Sequence, residues 1–490
     1  MKAGVTLESS SGSGTEAGCQ GLAKARPVPL FATLFVGGMI LLAGAGCSKP
    51  DYNKELPDST SLGNPRGHRI ARVITHFHSP YSYDACDKAG LQEGGVPNPT
   101  CLGHLRYALC ASHVDLTFVS DHPDHMSSNE FAQLLIPGDG DTLQMKAGAP
   151  YYNEMAACGD GFRPKLLTGF EGGKIMALGM TNHLAGDVAA RSGLYGGDTA
   201  VFTQRLKDES DAFVVIPHTE SKAVDWIRTV APHAIEIYNY HANLDPKIRQ
   251  KDLGLAPFGK TGWLLTYILD PYKDLTPDLA FVHMLEISPI YAQKWRELIL
   301  GGLKVVGILG TDSHENLLPQ SASDGERVDS HRRLTRMMSN HVIADSTEPD
   351  AIKAALKAGH SWAVFEGFGT PVDMDFSASV GATTIGVGDS ISLAGQTAVI
   401  RVDLPMLHKS SPRGQEAPSF VVRLKHLLPD RDEVVAVTRD MPLAYPVSSA
   451  GVYRAEIAII PLHLKEYLED FPSVANQEYP WILTNPIYLE

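Results

Sequence analysis

The stretch ITHFHSPYSYDAC, residues 74–86, sets His76 and His78 two positions apart and Asp84 six positions further on. A β strand turns alternate side chains to one face. On a strand the two imidazoles therefore point the same way, either as a surface coincidence or as two ligands of one metal ion. Residues able to bind metal recur after apolar runs along the chain. They are Asp121, His122 and His125 in VSDHPDH, Glu171 in TGFEGG, His183 in TNHLAG, His218 in VIPHTE, and Asp312 and His314 in GTDSHE. A single histidine after a strand is an ordinary loop residue, but so many such residues at equivalent places are not independent accidents. Imidazole and carboxylate together suit Zn, Fe or Mn. A carboxylate such as Glu171 can bridge two ions. A metal-bound water becomes a nucleophile near neutral pH, and a metal pair clamps the attacking and leaving oxygens.

Such residues need a scaffold that gathers strand ends. Residues 69–78, 114–120, 164–171, 212–218, 233–239 and 304–314 read as strands, and 104–112, 223–231, 292–302, 327–341 and 348–360 read as helices by apolar spacing. Alternating strands and helices predict an α/β fold with a parallel sheet, open or closed into a barrel. In such folds sites form at the C-terminal ends of strands. The arginines of HRRLTR, Arg332 to Arg336, are expected on a solvated helix face. His104, His113, His233, His241 and His283 have no partner at a useful spacing and read as structural, and His125 reads as a loop residue. From about residue 369 the pattern changes to short β runs with turn residues between, which predicts a small β-sandwich over 369–490, with Trp481 in its core and Pro486 at a strand edge.

The 490 residues suggest two to three domains. A net charge of −14 offers no basic footprint for nucleic acid. An acidic total still permits an anionic substrate, because bound ions reverse the local field. Residues 1–47 read as an export signal: Lys24 and Arg26 precede an uncharged run over 30–46 that is short for a membrane span and ends at Cys47. The small residues before Cys47 resemble a bacterial lipobox. This implies a lipid anchor on a mature protein facing the periplasm, with 48–68 as a tether. Cys86, Cys101, Cys110 and Cys158 are expected to form disulfides, with three pairings open. The sequence leaves the oligomeric state open.

The motifs HFHSPYSYD, VSDH, GFE, IPH and GTDSH occur in the order of the PHP (polymerase and histidinol phosphatase) superfamily, which the chain resembles over roughly residues 69–365. The C-terminal stretch GVYRAEI…PWILTNPIYLE resembles the tail of the CehA/McbA-type exported members, which carry an added β domain. The resemblance implies a distorted (β/α)7 barrel over 69–368 with two or three divalent ions (Mn, Zn or Fe) in its mouth. It assigns His76, His78, Glu171 and Asp312 to one ion and Asp84, His122 and His314 to another. His218 would hold a third, with Glu171 bridging. His183 and Asp312 carry catalytic roles in this reading, His183 as a contact to substrate or transition state. Asn239 stands where members with three ions have a histidine, which argues for two firmly bound ions. The implied activity is hydrolysis of a small-molecule phosphoester by a metal-bridging hydroxide. The alternatives are hydrolysis of a carboxylic ester, carbamate or amide at the same site, and a non-catalytic binding lipoprotein that keeps its metals structurally.

Overall fold

The strands that position the site are β1 (Arg69–Phe77), β2 (Leu116–Val119), β3 (Lys165–Leu167), β4 (Phe170–Glu171), β5 (Met176–Leu178), β6 (Phe213–Ile216), β7 (Ala234–Asn239), β8 (Val306–Gly310), β9 (Ser339–Ala344) and β10 (Ser361–Val364). They belong to a computed structural model that describes residues 52–260, 264, 276–408, 416–468 and 472–490. The leader, Cys47 and the expected lipid attachment lie outside the described residues. The molecule is a mixed α/β protein with a large sheet. In that sheet β3, β2 and β1 run parallel, and β9 and then β10 continue it antiparallel. In a second sheet β8, β7 and β6 run parallel, and β5 and β4 follow antiparallel.

The two sheets meet where chemistry is expected. Beyond the end of β8, Ser313 pairs with Phe77 of β1. The Asp312 N–H donates to the His76 carbonyl at 2.9 Å, and the His78 N–H donates to the Ser313 carbonyl at 3.1 Å. Strands covered on both faces read as unbroken apolar runs, and FVVI of β6 is buried at every position. Val73, Phe118, Leu167, Met176, Val215 and Ile308, drawn from both sheets, form one buried cluster. Helices Pro99–Ala111, Val224–Val230, Pro289–Leu300 and Pro349–Ala358 fall where the apolar spacing predicts them.

Three expectations change. The 327–341 run does not form one helix. It divides into helix His331–Met337 and strand β9, because β9 is held on both sides, by β1 and by β10. Arg332, Arg333 and Arg336 are not solvated but buried. Arg332 grips Asp278 through both terminal nitrogens at 2.6 and 2.7 Å. Nor does the segment after residue 51 hang free: Tyr52, Leu56 and Leu62 are buried, and Arg72 donates to the Pro57 carbonyl at 2.7 Å.

The expected division near residue 369 is crossed by the large sheet. Strand Tyr479–Thr484 pairs antiparallel with β10 and hands the sheet on to Gly451–Ile460 and Ser419–Leu427. A separate four-stranded antiparallel sheet also forms after residue 369. Trp481 is buried against Phe420 and donates to the Gly369 carbonyl at 2.8 Å. Disulfides join Cys86 to Cys101 and Cys110 to Cys158.

Candidate metal centre

His76 lies within β1, and His78 follows the strand's last residue. Both rings are fully buried. The strand ends of β2, β4, β6, β7 and β8 deliver His122, Glu171, His218, His241 and Asp312 with His314 to the same place. Asp312 and His218 reach it from left-handed backbone, at φ 52° and 48°. Non-glycine residues seldom adopt this conformation, and it concentrates at functional sites.

The first group consists of His76 Nε2, His78 Nε2, Glu171 Oε2 and Asp312 Oδ1. The two nitrogens are 3.1 Å apart. His76 Nε2 is 3.3 Å from the glutamate oxygen and 3.2 Å from the aspartate oxygen, and His78 Nε2 is 3.5 and 3.4 Å from the same two atoms. A tetrahedron of ligands about 2.0–2.1 Å from a Zn²⁺ ion has edges of about 3.3–3.4 Å, so these spacings are those of an ion's ligands.

The imidazole tautomers point to the same conclusion. His76 donates from Nδ1 to Glu236 Oε1 at 2.6 Å. His78 donates from Nδ1 to the Ser82 hydroxyl at 3.0 Å, which itself donates to Asp84 Oδ1. With Nδ1 committed on both rings, each Nε2 faces inward, and two nitrogens at 3.1 Å require a proton or a metal cation between them. A carboxylate or hydroxyl behind each histidine is the usual support for a metal ligand.

Asp84, His122 and His314 form a second group with His78. Asp84 Oδ2 is 3.5 Å from His122 Nε2 and 3.4 Å from His314 Nε2. His314 donates from Nδ1 to the Asp312 carbonyl at 3.0 Å, which again turns Nε2 inward. Asp312 Oδ1 and His314 Nε2 are buried and accept no hydrogen bond, although charged partners stand within ion-pair distance of both. Buried polar atoms left in this way are rare. Here one belongs to each group, so the residues present fit divalent ions.

A further group joins His241 to Asp312 and His314, and His218 stands beside Glu171 and Asp312. His218 Nε2 is 3.4 Å from Glu171 Oε1 and 3.3 Å from Asp312 Oδ2. His241, expected to be structural, puts Nδ1 3.4 Å from the same Asp312 oxygen. Asn239 is fully engaged in hydrogen bonds. Its carbonyl oxygen caps helix Tyr240–Leu244 by accepting the Ala242 N–H, and its amide donates to Glu236 and Asp312. A histidine stands two residues later, His241 on that helix, so Asn239 alone does not decide between two ions and three.

The carboxylates pull positive charge inward. Burial disfavours the His76 cation, yet Asp312, Glu236 and Glu171 outweigh it and hold its pKa well above the ordinary value. His122 is likewise raised to about 9, against its burial, chiefly by Asp84. Burial and the neighbouring His314 keep His78 neutral, and burial lowers His314 to about 4. Glu171 and Asp312 are held well below the usual carboxylate range, against their burial, by the histidines around them.

The remaining residues divide. Asp121 is a brace: its oxygens accept the Ser79 N–H and hydroxyl, both at 2.6 Å, and burial raises its pKa to about 6. The side chain of His125 lies outside the described residues. His183 is not brought to the cluster, because both its ring nitrogens bond elsewhere, to the Tyr195 hydroxyl at 2.7 Å and to the Asn129 carbonyl at 3.0 Å. Glu236 was missed by the sequence reading. The signal for it is the glycine of GTDSH: a Cβ on Gly310 would sit 1.9 Å from Glu236 Oε1.

Neither a family model nor a curated protein sequence matches the chain. It is similar to a solved structure from Bacteroides vulgatus ATCC 8482, a two-domain protein containing a predicted PHP-like metal-dependent phosphoesterase. The two are 12% identical, the match covers 90% of this chain and 99% of that one, and the TM-score is 0.30.

Proposed function

We propose that this protein is a metal-dependent hydrolase of phosphoesters, built as a distorted (β/α)7 barrel of the PHP type with a C-terminal β-sandwich. The observation that carries this reading is the convergence of His76, His78, Glu171 and Asp312 at ligand–ligand spacing, with an acceptor behind each histidine. Asp84, His122 and His314 would hold a second ion, and His218 and His241, with Glu171 and Asp312, would hold a third. When bound, such ions polarise a phosphoryl oxygen and activate water. The chain's own residues set the rest. Glu171 and Asp312 each offer one oxygen to the first group and one to the third, which fixes the distance between the two places. Three carboxylates, Asp84, Glu171 and Asp312, do not neutralise three divalent ions, so the loaded centre is positive and favours an anionic ester. Tyr83, half exposed with its ring 5.0 Å from that of His122, stands at the entrance as a substrate contact. The two disulfides support export to an oxidising compartment, and Cys47 remains the proposed point of lipid attachment.

The test is metal analysis of the soluble chain from residue 49, followed by turnover of a nitrophenyl phosphate monoester, a phosphodiester and a carboxylic ester. The expected result is three equivalents of Mn, Fe or Zn, two in His241→Ala, and hydrolysis of a phosphoester. Less than one equivalent after reconstitution ends the metal reading. Turnover of the carboxylic ester alone moves the reaction to that class, and three metals without any turnover leave a binding protein.

A further inference from the structure

A cavity of about 380 Å³ is lined by Glu130, Phe131, Pro150, His183, Leu184 and Arg191 among others. Its volume is in the range of small-molecule sites. Two paths of chain and contact lead from the metal centre to its lining. His122 leads into helix Pro123–Met126 and on to Glu130. Phe170, next to Glu171, packs its ring 4.6 Å from that of Tyr195, whose hydroxyl meets His183.

The feature of this cavity is Arg191, only 2% exposed. Its NH1 donates to the Asn129 carbonyl at 3.1 Å, its NH2 donates to the Gly186 carbonyl at 3.3 Å, and its Nε is buried without a hydrogen-bond partner. Its one carboxylate contact among the described residues is Glu130, at 3.4 Å, and that side chain is 77% exposed. Water screens such a pair strongly. A buried guanidinium held by carbonyls and a screened carboxylate is costly to maintain. The cost is offset when an anion completes the planar fork, the geometry that guanidinium offers to carboxylate and phosphate. His183 shares the Asn129 carbonyl with Arg191. It is therefore a positioning residue, which fixes the loop that carries Arg191's acceptor.

We propose that this cavity is a second substrate subsite, which takes a carboxylate-bearing arm of the ester and pairs it with Arg191. This rests on the hydrolase reading and sharpens it: the substrate carries a second anionic group on the arm beyond the scissile bond. Two measurements test it. The first compares kcat/KM for two nitrophenyl phosphodiesters, one with a neutral ethyl arm and one with a carboxyethyl arm, in the metal-loaded wild type and in Arg191→Met. The wild type is expected to prefer the carboxylated arm at least tenfold, and the preference should fall to near unity in the variant. The ratio is what is read, so a general loss of activity does not imitate the result. The second needs no catalysis. The melting temperature of EDTA-treated protein is measured with benzoate or benzyl alcohol at matched ionic strength, and benzoate alone should raise it, in the wild type but not in Arg191→Met. A wild type indifferent to the carboxylate in both measurements, or a preference unchanged in Arg191→Met, overturns the subsite. Absence of ester turnover with the benzoate effect intact overturns the hydrolase reading and leaves the anion site standing.

Discussion

Two groups of buried charge in this molecule are bonded in opposite ways. Around helix His331–Met337, Arg332 and Arg333 share Asp278, Arg332 also reaches Glu326, and Arg333 reaches Asp324. No buried polar atom of these residues lacks a hydrogen bond among the described residues. At the strand ends, two imidazole nitrogens face each other at 3.1 Å and face carboxylate oxygens at 3.2–3.5 Å, and Asp312 Oδ1 and His314 Nε2 accept nothing. Both groups carry the desolvation cost of buried charge. The first offsets it fully by internal hydrogen bonds, whereas the second offsets it only in part, through protons on His76 and His122, and leaves ligand atoms open to cations. A saturated network holds a fold together, and an unsaturated one is arranged for something from outside.

The largest effect should come from the unsaturated group. Asp312 belongs to the first and third groups and lends its carbonyl to His314. Asp312→Asn replaces one acceptor oxygen by a donor amide. Bound metal should drop by at least one equivalent and turnover by orders of magnitude, with the melting temperature of the metal-free protein changed little or raised. A metal-free protein that unfolds in this variant would make the two groups alike and remove the contrast.

The saturated group should respond in the other way. Asp278→Asn leaves Arg332 and Arg333 buried without their common counter-charge, and breaking a buried pair costs roughly 3–5 kcal/mol. Denaturant unfolding should show that loss, while metal equivalents in the folded fraction stay unchanged. Burial raises the Asp278 pKa, but Arg332, with Arg333 and Arg336, outweighs it and brings it to about 2, below the ordinary value of 3.8. A depressed folded-state pKa gives stability that is present above the unfolded value and is lost as pH falls through the folded one. This contribution is therefore complete above about pH 4, and most of it goes only near pH 2. A stability change for Asp278→Asn that vanishes at pH 5 would contradict the assignment.

The same contrast explains what could be read from the sequence. The histidines and carboxylates that gather at strand ends were legible, because each sits in a short motif whose spacing already carries the geometry: HxH along β1 and just past its end, and DSH across the turn after β8. His241 was not legible, because a helix start capped by Asn239 separates it from β7. Glu236 was not legible either, since its partners His76 and His218 lie on other strands. The buried arginines were misread for a related reason. Polar side chains at helical spacing look solvated unless the sequence shows their counter-charges, and Asp278 lies far from Arg332 in the chain. The segment from Tyr52 and the crossing of residue 369 by the large sheet are likewise set by distant partners.

Glu236 offers a finer cut between the two kinds of bonding. It accepts from His76 Nδ1, from the His218 N–H at 2.8 Å and from the Asn239 amide at 3.0 Å, so it is saturated itself while supporting the unsaturated group. Glu236→Gln should keep the fold and cost roughly 10–100-fold in metal affinity or activity, the usual price of losing a residue behind a metal ligand. Metal-buffered titrations measure it. An effect as large as that of Asp312→Asn would mean that Glu236 binds an ion directly.

The smallest effect should come from the Cys86–Cys101 disulfide, which lies beside the second group rather than in it. Asp84 opens a short turn in which Cys86, Asp87 and Lys88 all have left-handed backbone, at φ 54°, 55° and 66°. Consecutive non-glycine residues do not stay there unaided. The turn is fastened to the metal loop by the Cys86 N–H, which donates to the His314 carbonyl at 2.8 Å, and by the Asp87 N–H, which donates to the Glu315 carbonyl at 2.9 Å. The disulfide ties the same turn to helix Pro99–Ala111. Replacing both cysteines by serine frees the turn to relax, and Asp84 should then hold its ion less firmly. His76, Glu171 and Asp312 are anchored on β1, β4 and the turn after β8, away from that turn. The expected outcome is a few-fold faster loss of one metal equivalent to a chelator, with the other equivalents leaving at the wild-type rate. Uniform acceleration of every equivalent would show that the disulfide supports the whole centre, and unchanged rates would show that the backbone hydrogen bonds suffice.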